Sequence, residues 1–449
     1  MKNGTKRALG VSALAFTLTG CLSDAGGSGG FAELGKTLGT SDFVARLKSP
    51  DLTATPKPTH EDKINAESEI IKGLTRRTSV LPGGSTFDQV GAAVLAANSR
   101  AAEAELRSAR LRSEAASKNW LPKIGPQISL TSLGSLVANL VVDQVLFDNG
   151  RKKGEREFAI ADVEVAAVKL SQDTNDRVHT ALELYTTGAE AREKATLAQA
   201  TLKDMSHFEW VMSERVRGGV SDRSDLNILR QKLAEIKSDQ ARNLELERTS
   251  VAELNAMSVK PLGDLRGVPD FRVPPSAAQP LTVTLAQADK TRAVAQAKVD
   301  RASQLPGLSA GGTVGDSNNL GLQVSSDTLL GLGTGASLRA IEATKEAASR
   351  RVAQANEDAN RQLSKLESQI AAKARQAAEA EALTTQAKAN LDLFQRQYDA
   401  GQRQVMDVVG VYETFARQQQ SQVTLKYDVV RLRLEMARIL GVLADGTEI

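Results

Sequence analysis

The sequence predicts a mainly α-helical fold with a small β part, built by tandem duplication of one unit. The first observation is a pair of matching turns, in which Gly219 and Gly401 are each followed by five residues, an Asp and an aliphatic residue. The interval from Gly219 to Gly401 equals that from Asp225 to Asp407. The second observation is a long run of helix-forming residues before each turn. The third is a segment of alternating apolar and polar residues before each long run. Because all three features occur twice in the same order, the chain contains an internal repeat.

Residues 1–20 are predicted to be a signal peptide and are excluded from the fold. A basic start and a short apolar run lead to Leu18-Thr19-Gly20-Cys21, which contains the only cysteine of the chain. This tetrapeptide resembles the lipobox of bacterial lipoproteins, in which cleavage precedes the Cys and its thiol is acylated. We therefore expect a lipid at Cys21, and Leu22 rather than Asp after it implies export to the outer membrane. The alternative, a chance Cys near a transmembrane anchor, needs a longer apolar run.

Composition divides the rest of the chain into five segments. Residues 21–85 contain a Gly/Ser-rich stretch and several prolines, which predicts a lipid-anchored tether without a core of its own. The sequence leaves open whether this tether wraps around the body. The two repeats are predicted over residues 86–259 and 283–445. A proline-rich linker, residues 260–282, separates them, and residues 446–449 form a tail.

Each repeat is predicted to run helix, strand pair, long helix, hairpin, helix. The predicted elements of the first repeat are a helix, two strands, a long helix and a last helix, over residues 87–117, 124–131, 137–147, 151–217 and 224–259. In the second repeat we expect strands around 308–314 and 320–330, a long helix from about 337 and a last helix to about 443.

The predicted lengths indicate how the helices pack. At a rise of ~1.5 Å per residue, the long helix over 151–217 is on the order of 100 Å long. The two shorter helices of the same repeat together match that length. They can therefore stack end to end and run antiparallel beside the long helix. This arrangement places the strand pair at one end and the hairpin at the other.

Composition argues against several functional classes. The formal net charge is only +3, so nothing points to nucleic acid. With three His, one Cys and no carboxylate cluster, we expect no metal site and no cofactor, and His60, His179 and His207 are predicted to lie on the surface. The sequence contains no recognisable pair of a nucleophile and a base, so it gives no indication of an enzyme. The glycine run at 331–335 lacks the Gly-Lys-Ser/Thr ending of a phosphate loop and predicts a flexible strand-to-helix junction.

The strands constrain the assembly. Each chain offers only four predicted strands, which cannot close a membrane barrel alone, because a barrel must leave no unpaired edge in lipid. Several copies must then combine their strands in one sheet. The sequence thus predicts an exported, lipid-anchored tube: a barrel in a membrane, continued by a helical conduit.

Three features together resemble the TolC family of outer-membrane efflux and secretion ducts, and the lipobox resembles that of the lipidated branch of this family. They are the duplicated architecture over roughly residues 86–445, the strand end Gln144-Val145-Leu146-Phe147-Asp148-Asn149-Gly150-Arg151, and the two Gly-x5-Asp hairpins. The resemblance implies a homotrimer with a twelve-stranded β-barrel and a periplasmic α-helical tunnel. It also implies docking to a periplasmic adaptor and to an inner-membrane transporter, either ABC-type or proton-driven, for efflux or type I secretion. The sequence does not name the cargo.

The resemblance also assigns roles at the hairpins. It implies that Tyr398 and Arg403 hold the periplasmic mouth closed by bonding to Asp225, in the same or a neighbouring protomer. A guanidinium and a phenol on one carboxylate make charge-assisted bonds that a later rearrangement can break. Asp407 would form a carboxylate ring at the pore constriction, and the second ring of the family falls on Gly410, which is no carboxylate. The alternative for Tyr398 and Arg403 is ordinary packing on the helix surface.

A rival function comes from another class: a non-transporting, lipid-anchored helical envelope scaffold or adhesin. A scaffold needs no strands with alternating apolar residues. The strand pairs therefore favour the duct.

Overall fold

The computed structural model describes residues 60–97, 101–132, 135–315, 319–325 and 331–448, which lie within one compact unit. The expected signal peptide, Cys21 and most of the tether fall outside the described residues. Four helices precede the first strand: α1 (His60–Glu67), α2 (Glu69–Thr75), α3 (Thr86–Leu95) and α4 (Ala101–Ser117). The first repeat continues with β1 (Lys123–Ser132), β2 (Ser135–Phe147), α5 (Arg151–Arg217) and α6 (Arg223–Ala256). The second contains α7 (Leu281–Ser303), β3 (Gly307–Gly315), β4 (Asn319–Ser325), α8 (Thr334–Asp399) and α9 (Val405–Leu440), and a 3₁₀ turn (Gly446–Glu448) follows.

The two repeats fold alike. In the first, α4 and α6 both pack along α5, and in the second, α7 and α9 both pack along α8. This is the predicted arrangement of two short helices beside one long helix. The repeats meet where α5 contacts α7 and α9 and where β2 pairs with β3. We call this set of contacts the internal seam. No described helix combines the length and the apolar character that crossing a membrane requires.

The sheet has two chemically different faces. Its four strands are antiparallel in the order β1-β2-β3-β4, and between the bulges even-numbered residues lie opposite even-numbered ones. Because side chains alternate along a strand, even and odd positions occupy opposite faces. The even positions form an apolar face, apart from Gln144: Ile124, Ile128, Leu140, Val142, Val314, Leu320, Leu322 and Val324. The odd positions form a polar face, apart from Val141 and Val145: Lys123, Gln127, Asn139, Asp143, Ser309, Thr313, Asn319 and Gln323.

The predicted linker is part of the main core. Phe271 lies within residues 260–282 and is buried, and its ring packs edge-on against Phe87 with 5.8 Å between centroids. Phe87 packs in the same way against Tyr185, whose hydroxyl donates to the Gly267 carbonyl oxygen at 2.7 Å. This irregular segment therefore packs into the body. Its burial could not be predicted from the sequence, because prolines indicate irregular backbone but do not indicate whether that backbone is buried.

The sequence left open whether the tether packs on the body. Its last part forms α1 and α2, and it contributes Ile64, Ile71 and Leu74 to a buried cluster with residues of α4 and α5. Two expectations need correction. The first predicted helix is divided into α3 and α4. His179 is buried rather than on the surface, because α9 covers it and brings the Glu435 carboxylate within 3.4 Å of its ring. Burial lowers the pKa of this imidazole.

The packing of α2 buries a carboxyl group. The hydroxyl of Ser68, the N-cap of α2, donates to Glu164 Oε1 on α5 at 2.5 Å. The other carboxyl oxygen is buried and has no hydrogen-bond partner. Burial raises the pKa of Glu164 above its ordinary value. A raised folded-state pKa favours the folded protein below the unfolded pKa, and this contribution is lost as the pH rises through the folded value. At neutral pH, Glu164 therefore opposes folding.

Replacing Glu164 with Gln is expected to stabilise the protein at neutral pH. The amide resembles the protonated carboxyl group, so the gain is on the order of 1 kcal/mol at pH 7 and vanishes near pH 4, where the carboxyl group is itself protonated. Thermal unfolding of both proteins at the two pH values measures it. Glu367→Gln, at an exposed position of α8, is the control and should change little. An equal gain at both pH values would contradict the argument.

Candidate functional site

Both hairpins turn at a glycine in the left-handed conformation. The φ angle is 73° at Gly219 and 75° at Gly401, where any side chain would be strained. In the first hairpin, the N–H of Gly219 donates to the Val216 carbonyl, and the N–H of Val220 donates to that of Arg215. The second hairpin repeats both bonds around Gly401. This pattern is a Schellman motif, which ends a helix sharply.

One apolar cluster holds the two hairpins together. Leu226 follows Asp225, Val408 follows Asp407, and both apolar side chains are buried in the same cluster. Residues of all four hairpin helices complete it: Met205, Phe208, Met212, Leu229, Leu391, Val405, Val409, Tyr412 and Phe415. The structure thus brings both Gly-x5-Asp motifs to one end of the molecule, as predicted.

Tyr398 and Arg403 are held by aromatic rings of their own chain. The half-buried Tyr398 ring packs edge-on against Phe208, with 6.2 Å between centroids. The Arg403 guanidinium lies over the Phe394 ring, 4.5 Å from its centroid, and its Nε donates to Gln397 Oε1 at 3.0 Å. A cation over an aromatic face is attracted to it. Phe394, which supports Arg403, was not among the residues predicted for this site.

Each Asp of the two motifs lies in the first turn of a helix. Asp407 is the third residue of α9, and its carboxylate accepts from the Gln404 N–H at 3.2 Å while the Gln404 side chain accepts from the Asp407 N–H. Asp225 is the third residue of α6, whose N-cap Asp222 accepts from the Ser224 N–H at 2.9 Å. Negative charge in a first turn is favoured by the helix dipole. The recurring Asp therefore has a local structural role, and the Asp407 side chain is also exposed.

The predicted latch is not formed inside one chain. Within the described residues, no hydrogen bond or ion pair joins Asp225 to Tyr398 or Arg403. The contacts of Tyr398 and Arg403 are those of the surface-packing alternative. A bond to Asp225 would therefore have to cross between two copies of the chain.

A polar cluster that was not predicted from the sequence joins α5 to α9. Tyr427 donates its hydroxyl to Glu193 Oε2 at 2.9 Å, and Lys426 pairs with the same oxygen at 2.9 Å. Further along, Tyr412 donates to Asp204 Oδ2 at 2.6 Å. Burial, reinforced by these carboxylates, raises the pKa of both tyrosines. The two partners of each bond come from different repeats, so no pattern of neighbouring residues in the sequence predicts these bonds.

A charged groove of about 700 Å³ lies between α5, α6 and α9. Basic and acidic side chains line it together: Lys194, Lys232, Arg242, Arg417, Glu235, Asp239 and Glu413. Lys232 and Glu413 form an ion pair across it. Among the described His, Cys, Asp and Glu residues, no group of three or more is placed to hold a metal ion.

Comparison with known proteins gives matches in structure only. No family model matches the chain, and no curated protein matches its sequence. The structure resembles the outer membrane channel CmeC of Campylobacter jejuni, with a TM-score of 0.67 and 13% identity over 81% of this chain and 87% of that one. It resembles the outer-membrane channel OprN with a TM-score of 0.70 and 16% identity over 88% and 98%. The open-state MtrE channel of Neisseria gonorrhoeae gives a TM-score of 0.64 and 15% identity over 82% and 95%.

These similarities extend over most of both chains. Because the sequence identities are low, the similarities establish the fold alone. The duplicated helix–strand–hairpin unit and the mixed helical and antiparallel architecture agree with them. The chain therefore has the fold of the TolC-family outer-membrane channels.

Proposed function

We propose that copies of this chain assemble into an outer-membrane channel that passively conducts cargo out of the periplasm. The channel would be the outer component of a tripartite efflux or type I secretion system. The observation that carries the proposal is the sheet with one apolar face, one polar face and two open edges, β1 and β4. The likeness to outer-membrane channels supports it.

The edges and the two faces of the sheet both favour a pore built from several copies. A sheet edge exposes backbone N–H and C=O groups, and in lipid each unpaired group costs several kcal/mol. Closing the edges with other copies removes that cost. A barrel whose apolar face meets lipid then encloses the polar face, which suits a water-filled channel. Three copies would supply the twelve strands of such a barrel, and the helices would continue its wall into the periplasm.

The hairpin end of the helical part is the proposed docking site for partners. A periplasmic adaptor would dock near the hairpins, where the mixed charges of the groove between α5, α6 and α9 offer complementary sites. An inner-membrane ABC-type or proton-driven transporter would deliver the cargo. Asp225 of one copy would latch Tyr398 and Arg403 of its neighbour. We further propose that a lipid at Cys21 anchors the chain through the part of the tether that precedes α1.

Planar-bilayer recording of the purified protein tests the proposal. We expect discrete conductance steps from a trimeric preparation, and trimer mass is measured in parallel by native mass spectrometry. A stable trimer that shows no channel at any voltage or pH would favour the envelope scaffold. Heat-dissociated protein from the same preparation is the control and should give no steps.

Replacing Cys21 with Ser is expected to abolish acylation and to slow or misdirect assembly, without altering the helical tunnel. A Ser hydroxyl is not the thiol that the lipobox modification requires. Metabolic labelling with palmitate and membrane fractionation measure the two effects. Ser23→Ala, two residues further on, is the matched control. Unchanged palmitate labelling of the Cys21→Ser protein would contradict the prediction.

Removing the Asp407 carboxylate is expected to weaken block by multivalent cations roughly tenfold or more, which corresponds to about 1.4 kcal/mol. Asp407→Ala removes both the charge and the bond to the Gln404 N–H, whereas Asp407→Asn removes the charge and keeps an acceptor. If a carboxylate ring attracts the cations, both variants should lose block while resting conductance stays near the parent value. Loss in the Ala variant alone would instead indicate a weakened helix start.

A further inference from the structure

The four strands carry very little charge. β1 contains one charged residue, Lys123, and β2 contains one, Asp143. Within their described bounds, β3 and β4 contain none. Charged residues make up 25% of the whole chain, so the sheet is strongly depleted in charge. The two charges that it keeps have opposite signs.

These two charges are neighbours on one face of the sheet. Lys123 lies directly opposite Asp143 in the pairing of β1 with β2. Both positions are odd, so both side chains belong to the polar face. Residues directly opposite in an antiparallel pair have Cβ atoms about 4.5–5.5 Å apart, which is close enough for opposite charges to interact. We call Lys123 and Asp143 the charge pair. Because its formal charges cancel, the polar face of the sheet carries no net charge.

Glycines continue the row that the charge pair begins. Asp143 lies opposite Gly311, and Gly311 lies opposite Gly321. A Cβ atom added at Gly321 would meet no atom within 4 Å, and one added at Gly311 would meet only the Val142 carbonyl oxygen, at 3.8 Å. Neither glycine has a positive φ angle. Packing within the chain and backbone conformation therefore both allow a side chain at these positions. The bare backbone leaves open space beside the charge pair.

The charge pair is accessible to solvent. Lys123 is exposed and Asp143 is half-buried. Among the described residues, no hydrogen bond or ion pair engages either side chain. Both residues line a cavity of about 240 Å³ where the strands meet α5 and α7. Solutes that pass along the polar face would therefore meet both charges.

The other charges around this cavity are balanced as well. Asp148, Arg151 and Lys152 line it beside the charge pair. The Asp148 carboxylate accepts from the N–H groups of Gly150 and Lys152 at 3.1 and 2.6 Å. Arg151 and Lys152 both pair with Glu155, at 3.1 and 3.4 Å. Two basic and two acidic side chains thus form one cluster without net formal charge.

We propose that Lys123 and Asp143 keep the barrel lumen electrically neutral, so that the barrel passes cations, anions and zwitterions without selecting them by charge. The inference rests on the proposed function, because it assigns the polar face to the lumen of a closed barrel. It deepens that function by locating charge selection. The proposed carboxylate ring of Asp407 would select at the hairpin end, and the barrel adds no selection of its own. Polar solutes of either sign are the cargo class that fits such a barrel.

The balance has a physical consequence, because an unbalanced charge acts on every ion that passes it. Rings of like-charged side chains are selectivity elements of many pores. A unit charge about 7 Å from a passing ion changes the local ion concentration roughly threefold, even at the dielectric constant of water. Lys123 alone would therefore favour anions, and Asp143 alone would favour cations. Because the two charges are adjacent, their fields largely cancel at distances greater than their separation.

Reversal potentials of the assembled protein in a KCl gradient test the inference. Lys123→Gln leaves the Asp143 carboxylates unbalanced and should raise the permeability ratio of K⁺ to Cl⁻ roughly threefold. Asp143→Asn leaves the lysines unbalanced and should lower that ratio by a similar factor. The double variant is neutral again and should return to the parent ratio. Gln127→Asn, a neutral exchange on the same face, is the matched control.

Both shifts should also diminish at high salt. The Debye length is about 10 Å at 0.1 M ionic strength and about 3 Å at 1 M, so concentrated salt screens charges in a water-filled lumen. A purely structural role of the charge pair would change the yield of trimers or the size of the conductance steps. It would not produce shifts of opposite sign that cancel in the double variant.

Each outcome decides the inference. If both single variants form channels with the parent ratio, or if both ratios shift in the same direction, the inference is overturned while the channel stands. If a single variant does not assemble, Gln127→Glu and Gln127→Lys each add one charge to the same face without breaking the pair. They should raise and lower the ratio, respectively, and unchanged ratios would overturn the inference. If the parent protein forms no channel, the proposed function and this inference are both overturned.

Discussion

Asp225→Ala and Arg403→Ser are each expected to raise the single-channel conductance of the assembled protein. The proposed bond from Asp225 of one copy to Tyr398 and Arg403 of the next would tie the hairpins together around the mouth. Losing a partly exposed bond of this kind costs about 1 kcal/mol. In a trimer the loss occurs three times, so the balance between closed and open mouths could shift roughly a hundredfold. The double variant should add little beyond either single change.

The positions of these residues along their helices give this expectation a structural reason. If α6 of one copy lies along α8 of its neighbour, the start of α6 meets the end of α8. Asp225 is in the first turn of α6, and Tyr398 is in the last turn of α8. A latch between copies would not be visible within the described part of a single chain, which agrees with the lack of a bond from Asp225 to Tyr398 or Arg403 there.

Arg396→Ser is the matched control, because Arg396 is also basic, exposed and in the last turn of α8. It should leave conductance near the parent value. An increase with this control would indicate general loosening of the hairpin rather than a broken latch. If the two latch variants both conduct like the parent, Tyr398 and Arg403 have only the packing roles seen with Phe208 and Phe394.

Features that depend on neighbouring residues could be predicted from the sequence. Gly219 and Gly401 marked the hairpins because a left-handed residue ends each helix, and that need is local. The strand pairs were visible because alternation is a property of a few consecutive residues. Helix lengths then predicted how the short helices pack beside the long ones, and the structure confirmed that packing.

Features that depend on distant partners could not be predicted. Phe271 and Leu74 lie in segments whose prolines and glycines predict irregular backbone, and only the fold brings them against Phe87 and α5. The Tyr427–Glu193 bond joins residues from different repeats. At the hairpins, the sequence paired Arg403 with a carboxylate, whereas the single chain places it over Phe394. Phe394 lies nine positions before Arg403, and the turn at Gly401 brings the Arg403 guanidinium over the Phe394 ring.

Leu322→Arg is expected to prevent assembly in the outer membrane, whereas Gln323→Arg should be tolerated. Leu322 lies opposite Ala310 on the apolar face, and 72% of its side chain is exposed in the single chain. If that face meets lipid, an Arg there costs roughly 2–4 kcal/mol near the middle of the bilayer. Three copies multiply this cost to a size comparable with the whole stability of a typical domain. Gln323 is on the polar face, where a charge stays in water.

Trimer on unheated gels and protein in the outer-membrane fraction measure the effect. Far-UV circular dichroism of the detergent-extracted chain shows whether the helical part still folds, so that failed insertion is separated from general unfolding. The two variants introduce the same charge one residue apart on the same strand, and therefore differ only in the face that receives it. An envelope scaffold without a barrel would tolerate both equally. A defect in Gln323→Arg alone would indicate that the polar face lies outside. That arrangement is incompatible with a membrane barrel, so the result would contradict the proposal. Only a sheet closed with its even positions toward lipid predicts loss of the Leu322→Arg trimer and survival of the Gln323→Arg one.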